Sequence, residues 1–254
     1  MCELLGICFA NRVNPKISFR RLCSRASENP HGWGLALYPD QAAMVIKEPL
    51  KGSESQLSDF LEKYPLLRSR IFLAHVRNSS QGGVAYRNTH PFTRELQGRE
   101  YVFAHNGTLT DYQDLELGRF QTLGDTDSEY IFCYLLKRIE EQKIDLMDFD
   151  NFSWLKNIFR DINCYGPFNC FLSDGENLFT YRDQDGARKL HYLLRKTPYT
   201  DLKLKDDDFK IEIREKKKDD VGYLVATNPL TDEDWQPLKP GELLVFRRGE
   251  LIFQ

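Results

Sequence analysis

The sequence lacks several features that would narrow its role at once. No stretch approaches the roughly 20 consecutive apolar residues that a membrane-spanning helix requires, so a helical membrane protein is excluded. A formal net charge of −3 over 254 residues supplies no field to attract nucleic acid or an anionic membrane surface. The six cysteines (Cys2, Cys8, Cys23, Cys133, Cys164 and Cys170) include no Cys-x-x-Cys pair and no Cys/His spacing suited to zinc. No zinc site is therefore expected. No basic and apolar export segment precedes Cys2, which sets aside a lipidated cysteine. A reduced, cytoplasmic setting with most thiols buried and inert fits these absences. No internal repeat or linker divides the chain, so residues 1–254 are expected to form one domain.

Hydrophobic residues make up 41% of the sequence, enough for a sizeable core. Strand-like segments dominate, at Glu3–Ala10, Leu35–Tyr38, Ala43–Lys47, Ile71–Val76, Tyr101–His105, Phe168–Leu172 and Leu178–Tyr181. Further strands are expected at Leu190–Leu194, Phe209–Ile213, Tyr223–Thr227, Leu243–Phe246 and Leu251–Phe253. Ser55–Tyr64 reads as a short helix with Leu57, Phe60, Leu61 and Tyr64 on one face. Thr126–Gln142 is the clearest helix. Thr126-Asp127-Ser128-Glu129 fits a capping box in which Thr126 caps and Glu129 reaches back. Its apolar residues cover more than one stripe, which predicts burial on two sides. Phe149–Ile162 has apolar residues at helical spacing. The mixed-charge stretch Lys203–Asp220 reads as a solvated surface segment, and Asn11–Pro30 as polar and irregular. Many strands with a few buried helices predict an α+β protein of two packed sheets covered by helices.

Cys2 becomes N-terminal once Met1 is removed, which places a thiol and an α-amine on one residue. Such a pair is a self-contained nucleophile and base. Three further segments bring polar groups to predicted element ends. Arg77, in His75-Val76-Arg77, has a guanidinium suited to a carboxylate. In His105-Asn106-Gly107, the Asn106 amide and the Gly107 N–H can converge on one oxyanion. Asp127 offers a carboxylate to an ammonium. Taken alone, each has an ordinary explanation: a strand-end arginine, a tight Asn-Gly turn, and an acid favoured by the helix dipole.

Taken in order, these segments resemble the class II (N-terminal nucleophile) glutamine amidotransferases. The matching residues are Met1-Cys2, His75-Val76-Arg77, Asn88-Thr89-His90-Pro91-Phe92, Phe103-Ala104-His105-Asn106-Gly107 and Thr126-Asp127-Ser128-Glu129. Cys2-Glu3-Leu4-Leu5-Gly6, His31-Gly32-Trp33-Gly34 and Pro240–Leu243 resemble the stand-alone YafJ-like group within that family. The resemblance covers the whole chain. It implies the four-layer αββα sandwich of the N-terminal nucleophile hydrolases, and no metal or cofactor. It implies Cys2 as nucleophile, with Asn106 and Gly107 forming the oxyanion hole. Arg77 and Asp127, with His90, would bind the amino-acid end of the substrate. The activity implied is cleavage of the glutamine side-chain amide through a thioester, releasing glutamate and ammonia. A γ-glutamyl amide hydrolase acting on a glutathione-like compound and a non-catalytic glutamine sensor are the alternatives. The sequence departs from the amidosugar synthases, which commonly carry Trp-Ala-Thr after the arginine, by having Asn78-Ser79-Ser80 there. It also shows no fused acceptor domain, so a separate synthase subunit or water is expected to receive the product.

Overall fold

Alternation along the strands sorts the apolar residues into three separate cores. The computed structural model describes residues 2–15, 22–23, 29–79, 81–196 and 220–254. One sheet contains β1 (Glu3–Val13), β2 (Trp33–Leu37), β3 (Met44–Glu48), β4 (Ser69–Val76), β9 (His191–Lys196), β10 (Val221–Ala226) and the short β11 (Gln236–Pro237), in the order β11-β9-β10-β1-β4-β2-β3. The other contains β5 (Phe92–Leu96), β6 (Arg99–Gly107), β7 (Phe168–Ser173), β8 (Asn177–Tyr181), β12 (Leu243–Arg247) and β13 (Glu250–Phe253), in the order β13-β12-β8-β7-β6-β5. The pairings among the described residues are antiparallel. Among the described residues, the sheets are covered by helices α1 (Gln56–Lys63), α2 (Asp127–Glu141) and α3 (Phe152–Asn163).

Successive strand side chains point to opposite faces. Leu5, Ile7 and Phe9 of β1 therefore pack outward with Phe72, Ala74 and α1 residue Leu61. Leu4 and Cys8 face inward, joining Ile71 and Leu73 against Val102, Ala104, Phe171 and Phe246 of the second sheet. The outer face of that sheet carries Tyr101, Phe103, Phe168 and Phe179, which bury Phe132 and Leu135 of α2 and Leu155 and Phe159 of α3. The result is helix, sheet, sheet, helix: the four-layer αββα sandwich expected from the sequence.

Local signals set the helix starts. Ser55 caps α1 by accepting the Ser58 N–H at 2.9 Å. Thr126 caps α2 by accepting the Glu129 N–H at 3.2 Å. The other half of the expected capping box is absent. Glu129 is buried, and its carboxylate accepts Leu123 N–H at 3.1 Å and Gly124 N–H at 2.7 Å and pairs with Arg94. The preceding loop and the guanidinium outcompete the Thr126 amide. Helix α2 is buried at Ile131, Phe132, Cys133, Leu135, Leu136 and Ile139, more than one stripe, as expected.

The Asn106-Gly107 turn predicted from sequence does not form. Both residues continue β6, with Asn106 opposite Asn169 and Gly107 opposite Phe168. Close approach selects the glycine: a Cβ there would lie 1.8 Å from the Pro167 carbonyl oxygen and 2.3 Å from His105 Nε2. Asn11, Arg12 and Val13, read as irregular, extend β1 past a register shift. The expected strand Phe209–Ile213 lies outside the described residues, as does all of Lys203–Asp220 except Asp220. Cys8, Cys23, Cys133 and Cys170 are buried and Cys164 is exposed. Among the described residues no helix is long and apolar enough to cross a membrane.

Candidate active site

Strand pairing delivers the first polar groups. Glu3 lies opposite Val76, and Leu4 opposite His75. The residue before β1 therefore emerges beside the segment that follows β4. Cys2 Sγ accepts the Asn78 N–H at 3.0 Å and donates to the Asn78 carbonyl at 3.1 Å. Burial pushes the thiol pKa up. The Asn78 N–H and the Arg188 and Arg77 guanidinium groups pull it back toward the thiolate.

The second sheet supplies the opposing group. Asn106 shares its face of β6 with Val102 and Ala104, which line the inter-sheet core. Its side chain thus reaches across the sandwich. Asn106 Nδ2 donates to the Cys2 carbonyl at 2.7 Å, and its Oδ1 accepts from Arg188 Nη1. Gly107 follows, with its backbone pressed against Pro167.

Arg77 is buried, and its main chain is pinned between Gly32 O (2.7 Å from its N–H) and the His31 N–H (3.1 Å from its carbonyl). Its Nη1 donates to Gly83 O at 3.1 Å. Its Nη2 donates to Ser79 Oγ (3.1 Å), Gln81 O (2.7 Å) and Gly82 O (3.1 Å). The guanidinium therefore braces the loop that departs from β4. Ser79 is fixed further by donating its N–H to His31 Nδ1 at 2.9 Å. The residues that replace Trp-Ala-Thr thus serve Cys2 through Asn78 and Arg77 through Ser79.

Asp127 opens α2, only 4% exposed. Its Oδ2 accepts the Leu109 N–H at 2.8 Å, and its Oδ1 accepts the Ser128 N–H at 2.8 Å. Gln81 ties the two halves together. It offers its carbonyl to Arg77 and donates its Nε2 to Leu109 O at 3.0 Å. Arg77 feels both the Cys2 and the Asp127 charges. Behind Asp127, His105 Nε2 lies 3.2 Å from the Pro167 carbonyl, and its Nδ1 lies 2.9 Å from Ser128 Oγ. Burial lowers the His105 pKa and keeps the ring neutral. The carbonyl can only accept, so Nε2 carries the proton and Nδ1 accepts from Ser128.

Five of the six residues singled out from sequence therefore meet in one connected region: Cys2, Arg77, Asn106, Gly107 and Asp127. His90 stands outside that hydrogen-bond network. Its ring is 4% exposed, 4.3 Å from the His75 ring and 4.6 Å from the Phe92 ring, and neither nitrogen has a hydrogen-bond partner among the described residues. Burial holds its pKa well below the usual range. Sequence reasoning missed Arg188, Gln81 and the Asn78 main chain. None of them sits in a motif, and only their placement in space reveals them.

A thiol, a converging amide donor, and a cation and anion held nearby suit attack on the carbonyl of an amino-acid amide. The sequence profile described as "Glutamine amidotransferases class-II" matches residues 1–254. An uncharacterized protein of Methanocaldococcus jannaschii is 48% identical over all of this chain and 71% of its own length. YafJ, a predicted glutamine amidotransferase of Escherichia coli, is 36% identical over 99% of this chain and 100% of its own. A predicted glutamine amidotransferase from Pseudomonas aeruginosa superposes with a TM-score of 0.72 at 29% identity, over the whole of both chains. The glutamine phosphoribosylpyrophosphate amidotransferase of B. subtilis shares the fold over 100% of this chain and 49% of its own, with a TM-score of 0.67 at 18% identity. On the full-length profile match and the full-length relatives, the chain belongs to the class II glutamine amidotransferases.

Proposed function

We propose that the protein hydrolyses the side-chain amide of glutamine, with Cys2 as nucleophile after removal of Met1. The Cys2 thiol transfers its proton to the Cys2 α-amine as sulfur bonds to the amide carbon. The resulting oxyanion accepts hydrogen bonds from Asn106 Nδ2 and the Gly107 N–H. On collapse the C–N bond breaks, and the proton held by the α-amine passes to the departing nitrogen, which leaves as ammonia. Water then attacks the γ-glutamyl thioester and gives a proton to the α-amine. The C–S bond breaks, glutamate leaves, and the thiol is restored. Arg77 receives the α-carboxylate and Asp127 the α-ammonium, with His90 packing beneath as a neutral wall.

One observation carries this reading. The Asn106 amide, on one sheet, is bonded at 2.7 Å to the residue bearing the thiol on the other. An oxyanion donor and a nucleophile are thus assembled across the sandwich. The roles assigned to Cys2, Arg77, Asn106, Gly107 and Asp127 all address the glutamyl half of a substrate, so the same chemistry extends to other γ-glutamyl amides. A cytoplasmic enzyme working alone or delivering ammonia to a separate synthase subunit fits the same site. The test is ammonia and glutamate release from glutamine, glutathione and other γ-glutamyl amides by wild type and Cys2→Ala. Turnover is expected in the wild type and none in the variant. Equal turnover in both would overturn the assignment.

A further inference from the structure

We propose that Arg188 is a positioning residue for this reaction: its guanidinium locks the Asn106 carboxamide with the nitrogen turned toward Cys2. The inference rests on the function proposed above, and its argument is geometric. The two ends of a carboxamide have almost the same shape and opposite hydrogen-bonding sense. A flipped Asn106 would set Oδ1 where the oxyanion forms, replacing a donor by a repelling acceptor. Both neighbours forbid the flip. The Cys2 carbonyl can only accept, and it takes Nδ2 at 2.7 Å. The Arg188 guanidinium can only donate, and it gives Nη1 to Oδ1. One Nδ2 hydrogen is spent on the Cys2 carbonyl, which leaves the second for a substrate oxygen.

The turn that presents Arg188 is held on both sides. Asp183, fully buried, accepts Asn163 Nδ2 at 2.8 Å and the Phe168 N–H at 3.1 Å through Oδ1, and the Ala187 N–H at 2.8 Å through Oδ2. Arg182 Nε donates to the Arg188 carbonyl at 3.1 Å. Leu190 O accepts the Leu238 N–H at 2.9 Å. Such bracing suits a side chain that must arrive at one place. Among the described residues, Asn106 Oδ1 is the only acceptor the guanidinium meets, and no carboxylate pairs with it. Its charge is therefore left to act on Cys2, where it favours the thiolate.

The test uses Arg188→Met and Arg188→Lys in a Cys164→Ser background, which removes the exposed thiol. Four quantities are read: the pH midpoint of iodoacetamide labelling at the Cys2 peptide, glutamine kcat, glutamine KM, and the melting temperature. Deleting an oxyanion donor costs about 10²–10³ in kcat. Loss of the lock in Arg188→Met is expected to cost roughly 10- to 100-fold, with KM within about threefold and the labelling midpoint moved to higher pH. Arg188→Lys is expected to restore the midpoint and recover part of kcat. A lower melting temperature with raised KM and an unmoved midpoint would show a purely structural role and overturn the proposal. Unchanged kcat and midpoint would overturn it too. If the wild type does not turn over glutamine, the functional reading fails separately. The labelling midpoint, and the orientation of the Asn106 amide in a neutron crystal structure of Arg188→Met, then still decide the role of Arg188. An Asn106 amide that keeps its orientation and a midpoint that stays put would sink it.

Discussion

Replacing Asp127 by asparagine keeps the side chain's size and removes its charge. The carboxylate now accepts two backbone N–H groups, Leu109 and Ser128, both at 2.8 Å, one on each oxygen. An amide has one oxygen, so one of these buried donors would face an NH2 group instead. That mismatch costs about 1–3 kcal/mol. At roughly 2–4 °C per kcal/mol for a chain of this size, the melting temperature is expected to fall by roughly 2–12 °C. On the substrate side, a hydrogen bond between charged partners contributes about 1.5–3 kcal/mol. At ~1.36 kcal/mol per tenfold, its loss lowers kcat/KM for glutamine by roughly 10- to 150-fold. The assay separates the two effects by comparing glutamine with glutaramate, which has the same amide and carboxylate but no α-ammonium. Wild type is expected to prefer glutamine strongly, and Asp127→Asn to lose most of that preference. An unchanged glutamine-to-glutaramate ratio would refute the pairing of Asp127 with the ammonium, whatever happens to stability.

Three further predictions concern the scaffold. Gly107→Ala would put a Cβ 1.8 Å from Pro167 O, which β6 can relieve only by parting from β7. A loss of about 3 kcal/mol or more is expected, seen as a melting temperature lower by roughly 6–12 °C. Gly83→Ala, with nothing within 4 Å of its added Cβ, should change stability by no more than about 0.5 kcal/mol. Acid should also weaken the fold through its buried imidazoles. Burial pushes His75 down to about 3 and His90 well below its usual value, so the folded chain refuses protons that the unfolded chain binds below about 6.5. The stability they contribute is fully present above that pH and falls by about 1.4 kcal/mol per imidazole per pH unit as pH drops toward the folded values. Urea titrations between pH 6.5 and 5 should show this slope, and His90→Phe should flatten it by one imidazole's share. A flat wild-type profile in that window would contradict the neutral, buried assignment.

The parts of this molecule that could be read from sequence are those written locally. The apolar run Ile71–Val76 and the Thr126 cap both specify their elements within a few residues, and the structure bears them out. What local signals miss is competition at a distance. Asn106-Gly107 reads as a turn because Asn and Gly favour turns, yet the Pro167 backbone pressing on Gly107 keeps both in the sheet. Glu129 reads as half of a capping box, but Arg94, 35 residues earlier, claims it. β5 escaped notice because Thr93, Arg94 and Glu95 give no clean alternation on an edge strand. Arg188 lies 82 residues from the Asn106 it touches, in a polar turn whose composition suggests only solvent exposure. The motif residues were visible as a set, but the groups that orient them were not.

The most direct measurement is mass spectrometry of the intact and digested protein after treatment with 6-diazo-5-oxo-norleucine. The account predicts a mature chain lacking Met1, with a single adduct on the Cys2 sulfur that excess glutamine prevents. A chain that keeps Met1 while still cleaving glutamine, or an adduct on any other residue, would contradict it.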